Sequence, residues 1–388
     1  AIVLDFELLN QIKLERNADG GGTSISTPYP LTGFEDIVNG GLIRVKGNHN
    51  LGDVKSIQIG IRNNDSNNEA HCAEVWINEL RAYGLKEKGG AAALARLDMQ
   101  LADFGSLSLA GSYSSIGFGA LNESLMERQI SQMTDVNVSS SLELGRFFPK
   151  DWGVNIPFMA QYSKAVETPK YDPFDRDVTI EERLDNLTAD ETASEVIETA
   201  RNITTISAIT FTDVKKDRTG TDAPLPWDIE NFSVSYGKTK VNQSNFIIKE
   251  NSVTSQTGSL DYGYSNPGIF VKPLKWLPKN KYLKFFSEFN FNPLPNNFTF
   301  STIMDREFAV TEYRFDDIDD QYKTFFNKHW LWNRNYNLSW SLAKSLKLNY
   351  FATNMAVIDE PEGFIKNDPN KLQVIKDNLR TLGGNKNF

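Results

Sequence analysis

Cysteine and histidine are almost absent from this chain of 388 residues. The single Cys72 excludes an internal disulfide framework, and we expect it to be a small buried residue. His49, His71 and His329 lack the spacing of metal ligands. The sequence also contains no G-x-S-x-G, no P-loop and no H-E-x-x-H motif. We therefore expect no enzymatic activity, no cofactor and no bound metal.

Positive charge and long apolar runs are scarce as well. The chain has 41 Lys and Arg residues and 50 Asp and Glu residues. The resulting net charge of -9 excludes electrostatic binding to nucleic acid. No apolar run reaches the roughly 18 residues of a transmembrane helix, and the mean hydropathy is -0.41. The low mean hydropathy does not exclude a transmembrane β-barrel, because residues that face its water-filled lumen lower the average hydropathy.

Two acidic stretches come nearest to a binding site. DPFDRDVTIEE (172–182) is similar to a calcium-binding loop, but it lacks the glycine and the final glutamate that such a loop requires. DDIDD (316–320) places several carboxylates close together in the sequence. We interpret both stretches as solvated loops, and weak calcium binding stays open.

Residues 1–88 are predicted to form a small, soluble, sandwich-like β domain. LIRVKG (42–47), VKSIQIGIRN (54–63) and CAEVWINELRAYGL (72–85) read as strands, separated by loops rich in Asn, Gly and Asp. Trp76 lies in the third of these strands and is expected to be a core residue rather than a platform for a sugar. KEKGG (86–90) is the expected connector to the rest of the chain.

From Ala91 onwards, apolar and polar residues alternate over runs of about ten residues, which predicts antiparallel strands. The runs are 92–103, 106–114, 134–144, 153–163, 202–212, 230–240, 255–265, 281–291, 298–308, 334–343 and 346–354. Strands of soluble domains average about 5–6 residues. A strand of about ten residues, when tilted, crosses the apolar band of about 25 Å in an outer membrane. We therefore expect the apolar faces to meet lipid; a large soluble β-sandwich or a β-helix is the alternative.

The alternation also predicts which side chains face the membrane. The residues expected to face lipid are Val138, Leu142, Ile156, Phe158, Leu338 and Leu348. The residues expected to face a hydrated lumen are Ser139, Ser141, Asn155, Ser339 and Lys347. Aromatic residues near strand ends, such as Trp152, Trp330 and Tyr350, lie where a barrel carries its aromatic girdles.

The long loop at about 164–201 is predicted to contain a helix over 179–201. Thr179 with Glu182, and Thr188 with Glu191, each have the spacing of a capping box. The spacing therefore predicts helical turns that begin after each threonine.

Narrow apolar stripes on this predicted helix include Leu184 and Ile197, which we expect to dock on the barrel mouth. A further loop at about 365–384 is expected to hold a second helix. Asp368 is its expected N-cap, and Gly383 with Gly384 is its expected stop signal.

Several stretches, in order along the chain, resemble one known family. They are CAEVWINELRAYGL (72–85), QLADFGSLSLAGSYSSIGFG (100–119), MERQ (126–129), SSSLELGRFFPKDWGVNIPF (139–158), TPKYDPFDRDV (168–178), ITFTDVKKD (209–217), WDIENFSVSY (227–236) and IDEPEG (358–363). By these motifs the chain is identified as a member of the SprA/Sov family, the outer-membrane translocons of the type IX secretion system of Bacteroidetes. The chains of that family are several times longer, so we expect this sequence to be an internal fragment of such a protein.

The resemblance implies an all-β fold with short loop helices, in which a small soluble domain precedes a segment (89–388) of a very large antiparallel transmembrane β-barrel. It implies a channel in the outer membrane that passes folded cargo proteins, tagged by a C-terminal secretion signal, to the cell surface. In some species gliding motility depends on this channel. The implied partners are a PorV-like partner barrel and a periplasmic plug protein. The alternatives are a soluble glycan-binding or adhesive β-protein of the cell surface, and an ordinary outer-membrane porin or receptor barrel.

Overall fold

A computed structural model describes most of the chain. The described residues are 4–18, 25–35, 42–51, 54–61, 72, 74–81, 83–84, 88–124, 127–187, 191–221, 223–276, 286, 288–315, 320–361, 363–364 and 369–386. They belong to two compact units. The first unit comprises Ala1–Ala93, Tyr113–Met133 and Glu167–Arg201, and the second comprises Leu94–Ser112, Thr134–Val166 and Asn202–Phe388. The domain boundary expected at residue 88 stays a prediction.

Most of the regular structure is β. The strands are β1 (Tyr29–Glu35), β2 (Leu42–Val45), β3 (Ala92–Leu101), β4 (Gly105–Ser114), β5 (Ser131–Glu143), β6 (Val154–Asn155), β7 (Pro157–Pro169), β8 (Asn202–Lys216), β9 (Phe232–Ser244), β10 (Ile248–Ser265), β11 (Asn297–Tyr313), β12 (Thr324–Ala343), β13 (Leu346–Val357) and β14 (Gly384–Lys386). The helices are α1 (Phe6–Ala18), α2 (Ile180–Asp185), α3 (Ala193–Ala200), α4 (Asp320–Lys323) and α5 (Pro369–Arg380).

The strands from β3 onwards form one large sheet. Its order is β14-β13-β12-β11-β10-β9-β8-β7-β5-β4-β3, and β6 pairs with β8 beside this path. The neighbours from β8 to β14 pair antiparallel, so that each strand lies beside the next one in the sequence. The prediction of a mostly β, antiparallel chain with few and short helices is confirmed.

Several strands are longer than the runs that predicted them. β10, β11 and β12 have 18, 17 and 20 residues. The run predicted at 281–291 is wrong over residues 286 and 288–291, which belong to no strand and make only the isolated bridge Val271–Phe291. Its remaining residues lie outside the described part of the chain. The reason is a competing contact, because the Asn292 amide donates to the Leu342 carbonyl at the end of β12.

The region of residues 1–88 also differs from its prediction. Phe6–Ala18 forms helix α1, whose Ile12 and Lys13 are fully buried. Residues 54–61 and 74–81 have no regular structure, and Trp76 is 85% exposed instead of lying in a core. The strands expected over these two stretches are wrong, whereas the strand expected at 42–47 is confirmed as β2, which forms a hairpin with β1. An alternating run becomes a strand only when another strand pairs its backbone, and the described residues supply none for the two stretches. The sandwich-like domain stays a prediction.

The loop helices are present but shorter than expected. Thr179 and Glu182 form the predicted capping box of α2. The second box is formed by Thr192 and Glu195 at α3, not by Glu191, which instead accepts from Arg183; Thr188 and Asp368 lie outside the described residues. Helix α5 confirms the second predicted loop helix. No helix in the described part of the chain has both the length and the apolar character needed to cross a bilayer.

The edges of the large sheet generate a prediction about the isolated chain. β14 pairs only with Met355, Ala356 and Val357 of β13, and β3 is the last strand at the other edge. Exposed strand edges template pairing with other chains. We therefore expect the chain of residues 91–388, expressed without detergent or membrane, to aggregate or to form inclusion bodies. Size-exclusion chromatography checks this, and a detergent-free monomer that melts cooperatively would instead favour a soluble β-protein.

Candidate functional site: the two faces of the sheet

The strand register places aromatic residues in rows across the sheet. Phe232 pairs with Tyr262, Tyr262 with Phe300, and Phe300 with Tyr336. Directly paired residues of antiparallel strands point to the same face. The ring centroids of Phe232 and Tyr262 are 4.9 Å apart, and those of Phe300 and Tyr336 are 5.0 Å apart. One face therefore carries a continuous row of rings across four strands, β9 to β12.

Neighbouring rows extend this face, which we call the aromatic face. Tyr264 pairs with Phe298, Leu338 with Tyr350, and Trp340 with Leu348. On the other side, Tyr236 pairs with Phe211, whose ring lies 5.0 Å from Phe158 on β7. The members of the aromatic face are Phe158, Phe211, Phe232, Tyr236, Tyr262, Tyr264, Phe298, Phe300, Tyr336, Leu338, Trp340, Leu348 and Tyr350.

The opposite face, which we call the polar face, carries small polar residues. One of its rows runs through Ser233, Asp261, Ser301, Asn335 and Thr353. In another row, Ser339 pairs with both Asn297 and Asn349. The Ser339 hydroxyl donates to Asn349 Oδ1 at 2.9 Å. Side chains of this face therefore bond to one another across strands.

The register separates the residues that the alternation had assigned to two environments. Leu338, Leu348 and Phe158 lie on the aromatic face, while Ser339 lies on the polar face and Lys347 pairs there with Ser341. That the aromatic face meets lipid stays a prediction.

The remaining assigned residues lie on β5, on β6 and, for Ile156, between β6 and β7. Asn155 pairs with Lys215, which pairs with Ser233 of the polar face. The expected lipid-facing Val138, Leu142 and Ile156 are half-buried, and Ser139 and Ser141 are exposed. Their contact with lipid or with a lumen stays a prediction as well.

One end of the aromatic face is covered by residues 358–361 and 363–364, which we call the strap. Arg306 on β11 makes a two-pronged ion pair with Glu360, whose side chain is 3% exposed. Lys328 on β12 donates to the carbonyls of Pro361, at 2.7 Å, and Gly363. This role of the strap is not among the features predicted from the sequence. The available signal was a pair of cations, Arg306 and Lys328, at positions that the alternation assigns to the apolar side of their strands.

The strap also fills an aromatic gap on the sheet. The Phe364 ring lies 5.1 Å from the Phe326 ring and 6.0 Å from the Phe308 ring. Further along β12, Arg334 is buried and its guanidinium stacks 4.5 Å from the Trp332 ring. Arg306 and Lys328 are thus held by the strap, whereas the other end of the face, near Leu346 and Leu348, is open.

The first unit contains a buried ionic cluster that involves Lys13, His49, Asp175 and Asp177. Lys13 Nζ is fully buried and donates to Asp175 Oδ1 at 2.5 Å, to Asp177 Oδ1 at 2.9 Å and to the His49 carbonyl at 2.9 Å. The Leu51 amide also donates to Asp177 Oδ2. The carboxylates read as a solvated loop are thus the partners of a buried lysine, and the expectation of solvation is wrong for this stretch.

The two carboxylates of the cluster titrate in opposite directions. Burial and a hydrogen bond with Asp177 raise the pKa of Asp175 to about 6. Burial works to raise the pKa of Asp177 too, but hydrogen bonds with Asp175 and Lys13 hold that pKa below its usual value. Among the described residues, no group of His, Cys, Asp and Glu side chains is arranged to hold a metal ion.

This cluster generates a paired prediction. Ionised Asp177 stabilises the fold above its unfolded pKa, and this stability is lost as the pH falls through its lowered folded pKa. The ionisation of Asp175 has the opposite effect, because it lowers the stability as the pH rises from about 4 to about 6. At pH 7, Asp177→Asn should lower the protection of α1 amides by about 3 kcal/mol, because it breaks a buried pair. Asp175→Asn should instead remove the loss of protection between pH 4 and 6. Hydrogen exchange of the α1 amides measures both effects. Equal effects of the two variants would contradict the opposite pKa shifts of Asp175 and Asp177.

Two other expected features have a mixed outcome. Leu184 and Ile197 are half-buried, and their docking on a barrel mouth stays a prediction. Cys72 is exposed, so the expectation of a buried cysteine is wrong.

One comparison with known proteins identifies a relationship. Residues 1–184 match a family model described as motility related/secretion protein. The match covers α1, the strands β1 to β7 and most of α2. No curated protein matches the chain.

Proposed function

Over residues 1–184 the chain belongs to the SprA family of motility related and secretion proteins, and from this premise we propose that it forms part of the outer-membrane protein-conducting channel of the type IX secretion system. In this proposal the large sheet spans the outer membrane, and folded cargo proteins pass along its polar face to the cell surface. The protein acts as a conduit and carries out no covalent chemistry. The observation that supports the proposal most is the separation of an aromatic face from a polar face across consecutive strands.

The aromatic face has the properties that hydrocarbon requires. Lipid offers no hydrogen-bonding partners, so a spanning sheet must pair its backbone internally and present apolar side chains outwards. The antiparallel pairing from β8 to β13 satisfies the first condition over long, continuous registers. Exposed Leu348 and Tyr350, at 44% and 55%, satisfy the second, because their apolar surface is available to a lipid.

The strap marks one boundary of the part of the sheet that contacts lipid in this proposal. Arg306, Lys328 and Glu360 are charged groups that would be costly in hydrocarbon, and they lie together on the aromatic side of β11 and β12. We place the lipid band on the part of the strands between the buried Arg334 and the turn after Ala343. The long strands β10, β11 and β12 then continue beyond the band, which explains why they have 17 to 20 residues.

The polar face fits a passage for folded proteins. Ser, Thr and Asn side chains bind water and offer few fixed charges or apolar patches on which a cargo protein would be retained. Strands outside residues 1–388 would complete the wall in this proposal. The partners that we propose are cargo proteins with a C-terminal secretion signal, a PorV-like partner barrel and a periplasmic plug protein.

The adjacent residues Leu338 and Ser339 provide a test with a matched control. In the full-length protein, Leu338→Arg should lower the stability of the membrane-inserted form by about 2–4 kcal/mol, because it places a cation on the lipid face near the middle of the band. Ser339→Arg adds the same cation one residue away, on the polar face, and should be tolerated. The measurement is the amount of folded protein in the outer membrane, together with cargo secretion. Equal tolerance of both variants, or a greater loss with Ser339→Arg, would overturn the assignment of the two faces.

A further inference from the structure

An apolar cavity of about 610 Å³ lies at the end of β12, on the side opposite to the strap end of the face. Its lining includes the side chains of Phe289, Phe291, Pro293, Trp340, Leu342 and Leu346. This volume is in the range of pockets that hold small ligands, about 300–1,000 Å³. Neither the family relationship nor the two faces of the sheet accounts for it.

The walls of the cavity are built by a segment that docks on the end of β12. The Asn292 amide donates to the Leu342 carbonyl at 2.9 Å, and the Asn296 amide donates to the Ser339 carbonyl at 3.0 Å. The Trp340 indole N–H donates to the Asn292 carbonyl at 3.0 Å. These bonds fix the segment and turn its phenylalanines towards the β12 side chains.

The polar groups around the cavity are used within the protein. Asn292 is 1% exposed, and its side chain bonds to Asn296 Oδ1 and to the Leu294 amide. The one indole N–H of the lining, that of Trp340, is already bonded. The cavity therefore presents mainly carbon, and a ligand that fits it gains by burying apolar surface rather than by hydrogen bonding.

The cavity is continuous with the aromatic face and is open to its surroundings. Trp340 belongs to both and pairs with Leu348. Phe289, Phe291 and Leu346 are 49%, 40% and 56% exposed. The exposed aromatic and leucine side chains of the cavity indicate that an apolar molecule occupies it. Because the cavity and the aromatic face are continuous, this molecule would come from the medium that contacts the aromatic face.

Lys344 lies in the turn next to the cavity. The Lys344 amide donates to Asn290 Oδ1 at 2.9 Å, which ties the turn to the cavity wall. Its side chain is exposed, and its Nζ lies 5.9 Å from the centre of the Phe270 ring. A lysine at the end of a membrane-spanning element reaches the headgroup region with its ammonium while its stem stays in the apolar part.

We infer that this cavity binds an acyl chain of a lipid with an anionic headgroup, and that Lys344 pairs with the phosphate of that headgroup. The inference rests on the proposed function, because it takes the aromatic face to be the lipid face. A free anion would use the lysine alone and would leave the carbon-lined volume unexplained. An anionic lipid uses both, since its chain fills the cavity and its charge meets Lys344.

The test uses the full-length protein in vesicles of phosphatidylcholine that contain a minor fraction of phosphatidylglycerol with a photoreactive group on one acyl chain. After illumination, mass spectrometry maps the cross-linked residues. We expect cross-links along the aromatic face and an enrichment at residues 289–293 and 340–346. Lys344→Gln should lower the cross-linking at the cavity about fivefold, which is the contribution of one lysine to the binding of an anionic lipid.

The matched control is Lys347→Gln, which removes the same charge from the same turn but on the polar face. It should leave cavity cross-linking unchanged. A second variant, Leu342→Trp, fills the cavity and should abolish its cross-links while those on the rest of the aromatic face persist.

The outcomes separate the two proposals. A lack of cross-links anywhere on the aromatic face would overturn the proposed function and the inference with it. Cross-links along the face without enrichment at the cavity would overturn the inference alone. Equal losses with Lys344→Gln and Lys347→Gln, or equal labelling by a photoreactive phosphatidylcholine, would overturn the role of Lys344 in headgroup recognition.

Discussion

Backbone hydrogen bonding between neighbouring strands from β8 to β13 sets the register that decides which side chains share a face. Side chains alternate along a strand with a period of two, so a slip of one residue would exchange the aromatic face with the polar face. The same bonds meet the strictest requirement of a membrane, where no water satisfies an unpaired N–H or C=O group. The aromatic face, the strap and the cavity all depend on this register.

Charged side chains are paired at one end of the aromatic face and exposed at the other. At one end Arg306 and Lys328 are held by Glu360 and by carbonyl groups of the strap, and Phe364 closes the gap between rings. At the other end the face opens into a carbon-lined cavity with Lys344 in the turn next to it. In the proposed channel, the paired charges would mark one boundary of the lipid band and the exposed lysine the other.

The first unit shows how burial changes the chemistry of an acidic stretch. Asp175 and Asp177 both pair with Lys13, whose side chain is fully buried. Leaving that ammonium unpaired would be costly, so the two carboxylates contribute to the structure of this unit. In contrast, residues 54–61 and 74–81 keep the alternation of strands but remain exposed and without regular structure.

The alternation of side chains by itself predicted most strands of the large sheet and separated Leu338 from Ser339, because both follow from the period of two. The capping box of Thr179 and Glu182 is local and was equally readable. The tertiary structure alone decided the partners of Lys13, the strap over Arg306 and the cavity beside Trp340. These contacts join residues far apart in the chain, and no local pattern encodes such distances. For the same reason the strands expected over residues 54–61 and 74–81 were wrong, since a strand forms only when a second strand pairs with it.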